Sequence, residues 1–242
     1  SKEIVVSRSG PEPAGDPAKI LIVDDHPPVR EALALWISRR PDLQVCGEAD
    51  DVAEALRLAK ATCPDVIVID IQLKTGNGLD LIKRIKSRDR EARILVWSTH
   101  QHFSYAQRAI KAGALGYVNK QHATTDVLEA IRRVLDGKLY LPDDLAEQIL
   151  AKAVRGGDVL ATCPEECLSD RELEVFSLIG DGVSTSEMAR RMHLSVHTID
   201  THRQRIKEKL NLKSAGELAR AAAQWAVQGT TGGSPEDGPQ AD

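Results

Sequence analysis

Short apolar runs alternate with longer segments of helical period between Lys19 and Leu135. The runs at 20–23 and 66–69 are apolar without interruption, which is typical of strands that are covered on both faces. Five such runs are each followed by a predicted helix, and these helices cover Val29–Ser38, Val52–Ala61, Leu79–Lys86, Ala106–Ala112 and Val127–Leu135. The alternation predicts an α/β domain with a doubly wound, parallel, five-stranded sheet and right-handed crossovers.

The chain from Leu168 onward is helical in pattern and carries repeated helix-start signals. A serine is followed three residues later by a glutamate at Ser169, Ser184 and Ser214, and each pair predicts a capping box. Ser195 offers a cap without the glutamate. Four short helices therefore form a small all-α domain, and residues 185–210 read as helix, short turn and helix.

The composition of the remaining segments divides the chain into five parts. Both ends are rich in proline and glycine and poor in apolar residues, so we expect them to be disordered. The predicted parts are a flexible leader at 1–17, the α/β domain at 18–137, a linker with one helix at 138–167, the helical domain at 168–227 and a tail at 228–242.

Charge and cysteine content narrow the class of protein. The formal net charge is -4, so the chain is not basic as a whole. Four scattered cysteines do not form a disulfide scaffold, and the pair Cys163 and Cys167 lacks the second ligand pair that a zinc site needs. No apolar stretch approaches the ~20 residues of a membrane helix. We therefore expect a cytoplasmic protein without membrane association.

Chemically active side chains fall where the predicted strands end. The first strand ends in Asp24 and Asp25, the third in Asp70 and the fourth in Ser98, and the fifth runs into Lys120. Ligand sites of open parallel sheets lie beyond these carboxyl ends, so the carboxylates converge there and need a cation, for which Mg²⁺ is suited. Each residue alone also fits a helix cap or a solvated surface position. Together they predict a pocket that holds a phosphoryl group on an aspartate.

The second helix of the helix-turn-helix segment has a core face and a basic surface. Ile199, Ile206 and Leu210 share the apolar face, and His197, Thr201, Gln204 and Glu208 lie roughly opposite. Seven basic residues lie between Arg190 and Lys213, against the two acids Asp200 and Glu208. This local surplus of positive charge is typical of phosphate binding, although a solvated amphipathic helix also carries such residues.

Residues 19–137 resemble the receiver domains of two-component response regulators, through the segments LIVDDHPPVREAL, WSTH and GALGYVNK. The resemblance implies a flavodoxin-like fold in which Asp70 accepts a phosphoryl group from a sensor histidine kinase. It also implies catalytic roles for Ser98 and Lys120 and a conformational switch formed by Ser98 and Tyr117. By the same resemblance Mg²⁺ is held by Asp24, Asp25, Asp70 and the backbone carbonyl of Gln72.

Two positions depart from the receiver pattern. Lys74 lies four residues after Asp70, where the family usually has proline, and Gln121 follows Lys120 at another frequent proline position. Neither change removes a group that takes part in the chemistry. Both can alter the rigidity of the loops and the lifetime of the phosphoryl group.

Residues 168–214 resemble the helix-turn-helix domain of the NarL/FixJ (LuxR-type) family, in which the second helix enters the major groove of double-stranded DNA. Asp200, Thr201 and Gln204 are our candidates for base contacts. The candidates for phosphate contacts are Ser195, Thr198, Arg203, Lys207, Lys209 and Lys213. The resemblance implies a homodimer in the active state, with RNA polymerase as a further candidate partner.

Three hypotheses follow for the whole chain. The first is a response regulator, not an enzyme, in which phosphorylation of Asp70 controls transcription by promoting dimerisation or releasing the DNA-binding domain. The second is a DNA-binding regulator that is independent of phosphorylation and whose receiver binds other proteins. The third is an aspartyl-phosphate phosphatase of the haloacid type, which the sequence disfavours because its nucleophile belongs to a DxD motif on the first strand.

Overall fold

The computed structural model describes residues 16–100, 102–121, 124–142, 146–147 and 167–230. Its N-terminal part is a parallel sheet with the strand order β2-β1-β3-β4-β5. The strands are β1 (Ala18–Val23), β2 (Leu43–Ala49), β3 (Val66–Ile69), β4 (Ile94–Ser98) and β5 (Gly116–Asn119). The helices between and after them are α1 (Pro27–Ser38), α2 (Val52–Thr62), α3 (Gly78–Arg88), α4 (Phe103–Lys111) and α5 (Thr124–Leu135). The predicted fold class is confirmed.

Helices cover the sheet on both faces, as the uninterrupted apolar strands predict. All four residues of β3 are buried. On one face Leu21, Ile67 and Val96 pack with side chains of α2, α3 and α4. On the other face the neighbouring strand residues pack with side chains of α1 and α5. The carboxyl ends of β1, β3, β4 and β5 are therefore held at one edge of a rigid sheet.

Four helices form the C-terminal domain, namely α6 (Asp170–Gly180), α7 (Thr185–Arg191), α8 (Val196–Lys209) and α9 (Ala215–Thr230). The predicted serines cap all four, because each side chain accepts from the backbone N–H three residues later. The reciprocal glutamate contact to the cap itself forms at Ser169. Glu187, the predicted partner of Ser184, instead pairs with Arg190 and Arg191.

The segments predicted as leader, linker helix and tail lie largely outside the described residues. Among the helices of the described part, none is both long and apolar enough to span a membrane.

The C-terminal domain packs on the sheet domain through α6 and α9, which contact α4. Tyr105 of α4 is fully buried and its ring lies 6.4 Å from that of Trp225, while His102 stacks on Trp225 at 3.6 Å. Asp170 bridges the same two domains, because its carboxylate lies 2.6 Å from Lys83 Nζ and 2.7 Å from Arg108 Nη1. The apolar core is consequently continuous between the domains.

The first prediction concerns Gly78, at the start of α3. A Cβ atom there would lie 2.1 Å from the backbone oxygen of Asp70, so Gly78→Ala must displace the loop after β3. We expect the free energy of unfolding to fall by about 1–3 kcal/mol, measured by urea denaturation. Gly216→Ala is the matched control, because its Cβ would meet nothing nearer than 3.9 Å. Equal stability of Gly78→Ala and the control would contradict the close approach.

Candidate functional site

Backbone hydrogen bonds bring the ends of the strands into register at the candidate site. The amide of Asp24 donates to Ala49 O at 3.0 Å, that of Asp70 to Val23 O at 2.8 Å, and that of Lys120 to Ser98 O at 2.9 Å. Each of these residues thus extends the sheet by one step beyond a strand. The sheet itself therefore fixes where their side chains start.

The ammonium of Lys120 lies between two carboxylates. Its Nζ is 2.5 Å from Asp24 Oδ2 and 2.6 Å from Asp70 Oδ2, and all three residues are almost entirely buried as side chains. Burial alone lowers the pKa of Lys120, but the two carboxylates outweigh it and the net pKa is raised. Burial raises the pKa of Asp24, against the opposing effect of Lys120. The strand-end residues predicted from sequence therefore do meet in one pocket.

Oxygen donors for a cation surround this pocket. Asp24, Asp25 and Asp70 each offer a carboxylate oxygen and His26 offers a ring nitrogen, and these ligand atoms lie within 4.8 Å of one another. His26 Nδ1 also lies 2.7 Å from Asp25 Oδ1. Asp70 Oδ1 is buried and has no hydrogen-bond partner among the described residues. The cluster of carboxylate oxygens fits a cation that prefers hard oxygen ligands. His26 is a contributor that sequence reasoning did not propose, although it follows the two aspartates directly in the motif DDH.

The remaining predicted residues of the pocket lie at its inner wall. Ser98 is fully buried and its Oγ has no hydrogen-bond partner among the described residues. Tyr117 is also buried, and its hydroxyl donates to His100 O at 2.6 Å. The His100 ring stacks on Tyr105 at 4.1 Å, and Tyr105 donates to Leu173 O in the C-terminal domain. Tyr117 is thus in an inward position, at the start of a chain of contacts that leads to α6.

The predicted base-reading residues lie on a face of α8 that the sheet domain leaves uncovered. Asp200 and Gln204 are exposed and Thr201 is half-buried, whereas Ile199 and Ile206 are buried in the helical core. Gln204 Nε2 donates to Glu208 Oε1 at 2.9 Å, so its amide must exchange this partner to pair with a base. The docked sheet domain does not mask the face that is expected to read DNA.

Four of the six predicted phosphate-contacting residues have side-chain partners within their own domain. Arg203 donates to Thr185 Oγ1 at 2.6 Å, and Lys209 Nζ lies 2.6 Å from Glu172 Oε2. Ser195 caps α8 and lies 2.8 Å from Thr198 Oγ1. Lys207 is half-buried, while Lys213 is exposed beyond the end of the helix. Arg205 is also exposed on this helix, although the sequence analysis did not propose it as a phosphate contact.

Comparison with known proteins matches both halves of the chain to families. Residues 20–132 match the family described as response regulator receiver domain. Residues 166–222 match the family described as bacterial regulatory proteins, luxR family. The nitrate/nitrite response regulator protein NarL of Escherichia coli (strain K12) is 32% identical over 204 residues, which cover 84% of this chain and 94% of that protein. This chain belongs to the response regulator family.

Solved structures agree with this assignment. A two-component response regulator of the LuxR family from Aurantimonas sp. SI85-9A1 has a TM-score of 0.54 and 39% identity, and covers 57% of this chain and 99% of its own. RcsB from Salmonella enterica serovar Typhimurium, solved on promoter rprA with the phosphomimetic BeF3⁻, has a TM-score of 0.57 at 22% identity. The match covers 86% of this chain and 98% of the RcsB chain. At 22% identity it supports the assignment of the fold alone. This response regulator thus combines a receiver domain with a LuxR-type DNA-binding domain.

The second prediction concerns His100, whose ring nitrogen Nε2 is buried. Burial, with a smaller effect of Lys120, lowers the pKa of His100 to about 4. In the unfolded chain a histidine titrates near about 6.5, so between these values the folded state binds fewer protons than the unfolded state. The stabilisation that the folded state gains from a neutral, buried His100 is complete above the pKa of the unfolded chain. It is lost as the pH falls through the pKa of His100 in the folded state.

We expect urea denaturation of the wild type to show this loss as the pH is lowered from about 7.5 to 5, and His100→Gln to show a flatter dependence. His197→Gln is the control, because His197 is exposed on α8. If His100→Gln kept the slope of the wild type, another group would be responsible.

Proposed function

We propose that Asp70 is the phosphoacceptor of this response regulator and that a sensor histidine kinase supplies the phosphoryl group. The observation that carries the proposal is that the two carboxylate oxygens of Asp70 differ in their contacts. Asp70 Oδ2 lies 2.6 Å from Lys120 Nζ, whereas the buried Oδ1 has no hydrogen-bond partner among the described residues. One oxygen is therefore oriented by a cation while the other is left to react.

In the proposed transfer, Asp70 Oδ1 attacks the phosphorus of a phosphohistidine. The P–O bond forms, the P–N bond breaks, and the electron pair returns to the imidazole of the kinase. Lys120 neutralises one of the phosphoryl oxygens, which gather negative charge in a site with little water. The hydroxyl of Ser98, unpaired in the present arrangement, can donate to another phosphoryl oxygen.

The donor set of the pocket favours Mg²⁺ as its cation. Asp24, Asp25 and Asp70 supply carboxylates, and the backbone carbonyl of Gln72 is the further ligand expected from the family resemblance. When bound, Mg²⁺ would neutralise phosphoryl oxygens. Lys120 lies between Asp24 and Asp70 and already balances part of their negative charge.

We propose further that the chain regulates transcription by binding double-stranded DNA with α8 in the major groove. The exposed face with Asp200 and Gln204 would meet base edges, while Lys207, Lys213 and Arg205 would contact phosphates. RcsB was solved as two dimers bound to two parallel DNAs. A homodimer of the present chain would gain affinity, because two half-sites would be bound together.

The alternative function is a DNA-binding regulator that does not depend on phosphorylation. It rests on Lys74 and Gln121, the two departures from the receiver pattern. Lys74 Nζ lies 3.5 Å from Asp50 Oδ2 and both side chains are exposed, so this loop is held by a weak surface pair instead of a proline ring. Such a loop is expected to change the rate of phosphorylation more than the chemistry itself.

The third prediction tests the phosphoacceptor. After incubation with Mg²⁺ and acetyl phosphate, intact-mass spectrometry should show one phosphoryl group on the wild type and none on Asp70→Asn. Asp65→Asn is the matched control, because Asp65 lies on the receiver surface at the other end of β3 and should be modified as the wild type is. An adduct on Asp70→Asn, or none on the wild type with either acetyl phosphate or a kinase, would favour the alternative.

The fourth prediction separates base contacts from phosphate contacts. Gln204→Ala should weaken binding to a DNA site selected in vitro by about 1–3 kcal/mol and relax specificity at one position, while binding to random DNA is retained. Lys213→Ala should weaken binding to both DNAs alike and reduce the slope of log K against log salt by about 1. Fluorescence anisotropy at several salt concentrations measures both. Uniform weakening by Gln204→Ala would remove it from the base-reading set.

A further inference from the structure

A basic cleft lies between α3 and α4, apart from the phosphorylation pocket and from the exposed face of α8. Its volume is about 570 Å³, within the range of sites that bind small ligands. Of the described residues that line it, one is acidic, Asp170, and five are cationic, namely Lys83, Lys86, Arg90, Arg108 and Lys111. The whole chain has a formal net charge of -4, so this positive charge is concentrated locally.

Two of the cations already bind an anionic group at this cleft. The carboxylate of Asp170 lies 2.6 Å from Lys83 Nζ and 2.7 Å from Arg108 Nη1. Arg108 Nη2 also donates to Leu168 O at 2.8 Å, and the Arg108 side chain is 15% exposed. Lys83 and Arg108 are therefore held in place by the protein, and Asp170 balances part of their charge.

The charges of Lys86 and Arg90 are not balanced in this way. Lys86 lies three residues after Lys83 in α3, so the two side chains share a face of the helix. Lys86 Nζ donates to Arg90 O at 2.8 Å, and its stem packs on Gly113, where a Cβ would lie 3.0 Å from Lys86 Cε. Among the described residues, neither Lys86 nor Arg90 forms an ion pair with a carboxylate. An ammonium carries three donors, so Lys86 is fixed in position and can still bind an anion.

The lining also indicates which class of anion fits the cleft. Like charges gathered in one place repel one another, so a ligand with several negative charges is stabilised most. Oligophosphates concentrate such charge on few atoms, and lysine and arginine both bind phosphate oxygens well. The other lining residues are Ser87, Ser104, Gln107 and Ala112, so the described lining has no aromatic ring on which a base could stack. The cleft would therefore recognise phosphates and not a base.

We propose that this cleft binds a compact oligophosphate, supplied either as an inorganic ion or as the phosphate end of a nucleotide. Lys86 and Arg90 contribute the unbalanced charge, and Lys83 and Arg108 add to it from the side of Asp170. The site does not include Asp70, so this proposal and that of the phosphoacceptor can fail independently. An Asp70→Asn protein should bind the oligophosphate as the wild type does.

The fifth prediction uses inorganic pyrophosphate, titrated into the full chain by isothermal calorimetry in metal-free buffer at about 0.15 M salt. The wild type should bind pyrophosphate at a single site. The double variant with Lys86→Gln and Arg90→Gln should bind it at least about tenfold more weakly, because two charge-assisted contacts are lost. Lys111→Gln, on the α4 side of the cleft, should weaken binding to a smaller extent.

A matched control separates the cleft from the overall charge of the protein. The double variant with Arg84→Gln and Arg88→Gln removes two exposed cations from the same helix, and neither residue lines the cleft. This control should bind pyrophosphate as the wild type does, because salt screens exposed charges that lie at a distance. Equal weakening in the two double variants would show a general effect of charge and would overturn the proposal.

Adenosine diphosphate distinguishes the two sources of the phosphates. If it binds at least as tightly as pyrophosphate, the ligand is a nucleotide, and if it binds more weakly, the ligand is inorganic. Absence of binding with a Kd below about 1 mM, in both calorimetry and phosphorus NMR, would contradict the proposal. The proposal also fails if the variant with Lys86→Gln and Arg90→Gln binds pyrophosphate normally but loses affinity for DNA, since the cations would then contact a nucleic-acid backbone.

Discussion

The buried ion pairs of Lys120 with Asp24 and Asp70 are the interaction on which the rest of the structure depends. Three charges are removed from water here, and this is tolerable only with short, well-oriented contacts. The sheet supplies that geometry, because β1 and β3 are neighbours and β5 lies beyond β4. The side chain of Lys120 must therefore cross the end of β4 to reach the two aspartates. The order of the strands and the long side chain of Lys120 together determine this pocket.

The sequence predicts this pocket well, because local patterns determine the strands and the residues at their ends. Apolar runs predicted the strands, and strand ends predicted the pocket. Helix starts were less accurate. The prediction for α1 began at Val29, but Pro27 occupies the first turn, where a missing N–H costs nothing. The prediction for α4 began at Ala106, whereas residues 103–106 are all helical and buried. The ring nitrogen of His102 caps this helix by accepting from Ser104 N, and histidine is not among the residues by which an N-cap is usually recognised.

Contacts between distant segments were beyond the reach of such patterns. Glu174 is buried in α6 and accepts a hydrogen bond from Asn77 of the receiver, and burial raises the pKa of Glu174. The core of the helical domain was predictable from the spacing of Ile199 and Ile206, but its docking surface was not. That surface consists of single side chains such as Trp225 and Asp170, and no repeat in the sequence distinguishes them from core or surface residues.

Docking here leaves the exposed face of α8 open, so simple occlusion of the base-reading residues does not describe this arrangement. What docking restricts is the freedom of the DNA-binding domain to take another orientation, such as the one that a symmetric DNA site requires of a dimer. The interface joins favourable aromatic packing around Trp225 to the costly burial of Glu174. Aromatic packing therefore stabilises docking, whereas the burial of a carboxylate whose Oε1 has no hydrogen-bond partner among the described residues opposes it.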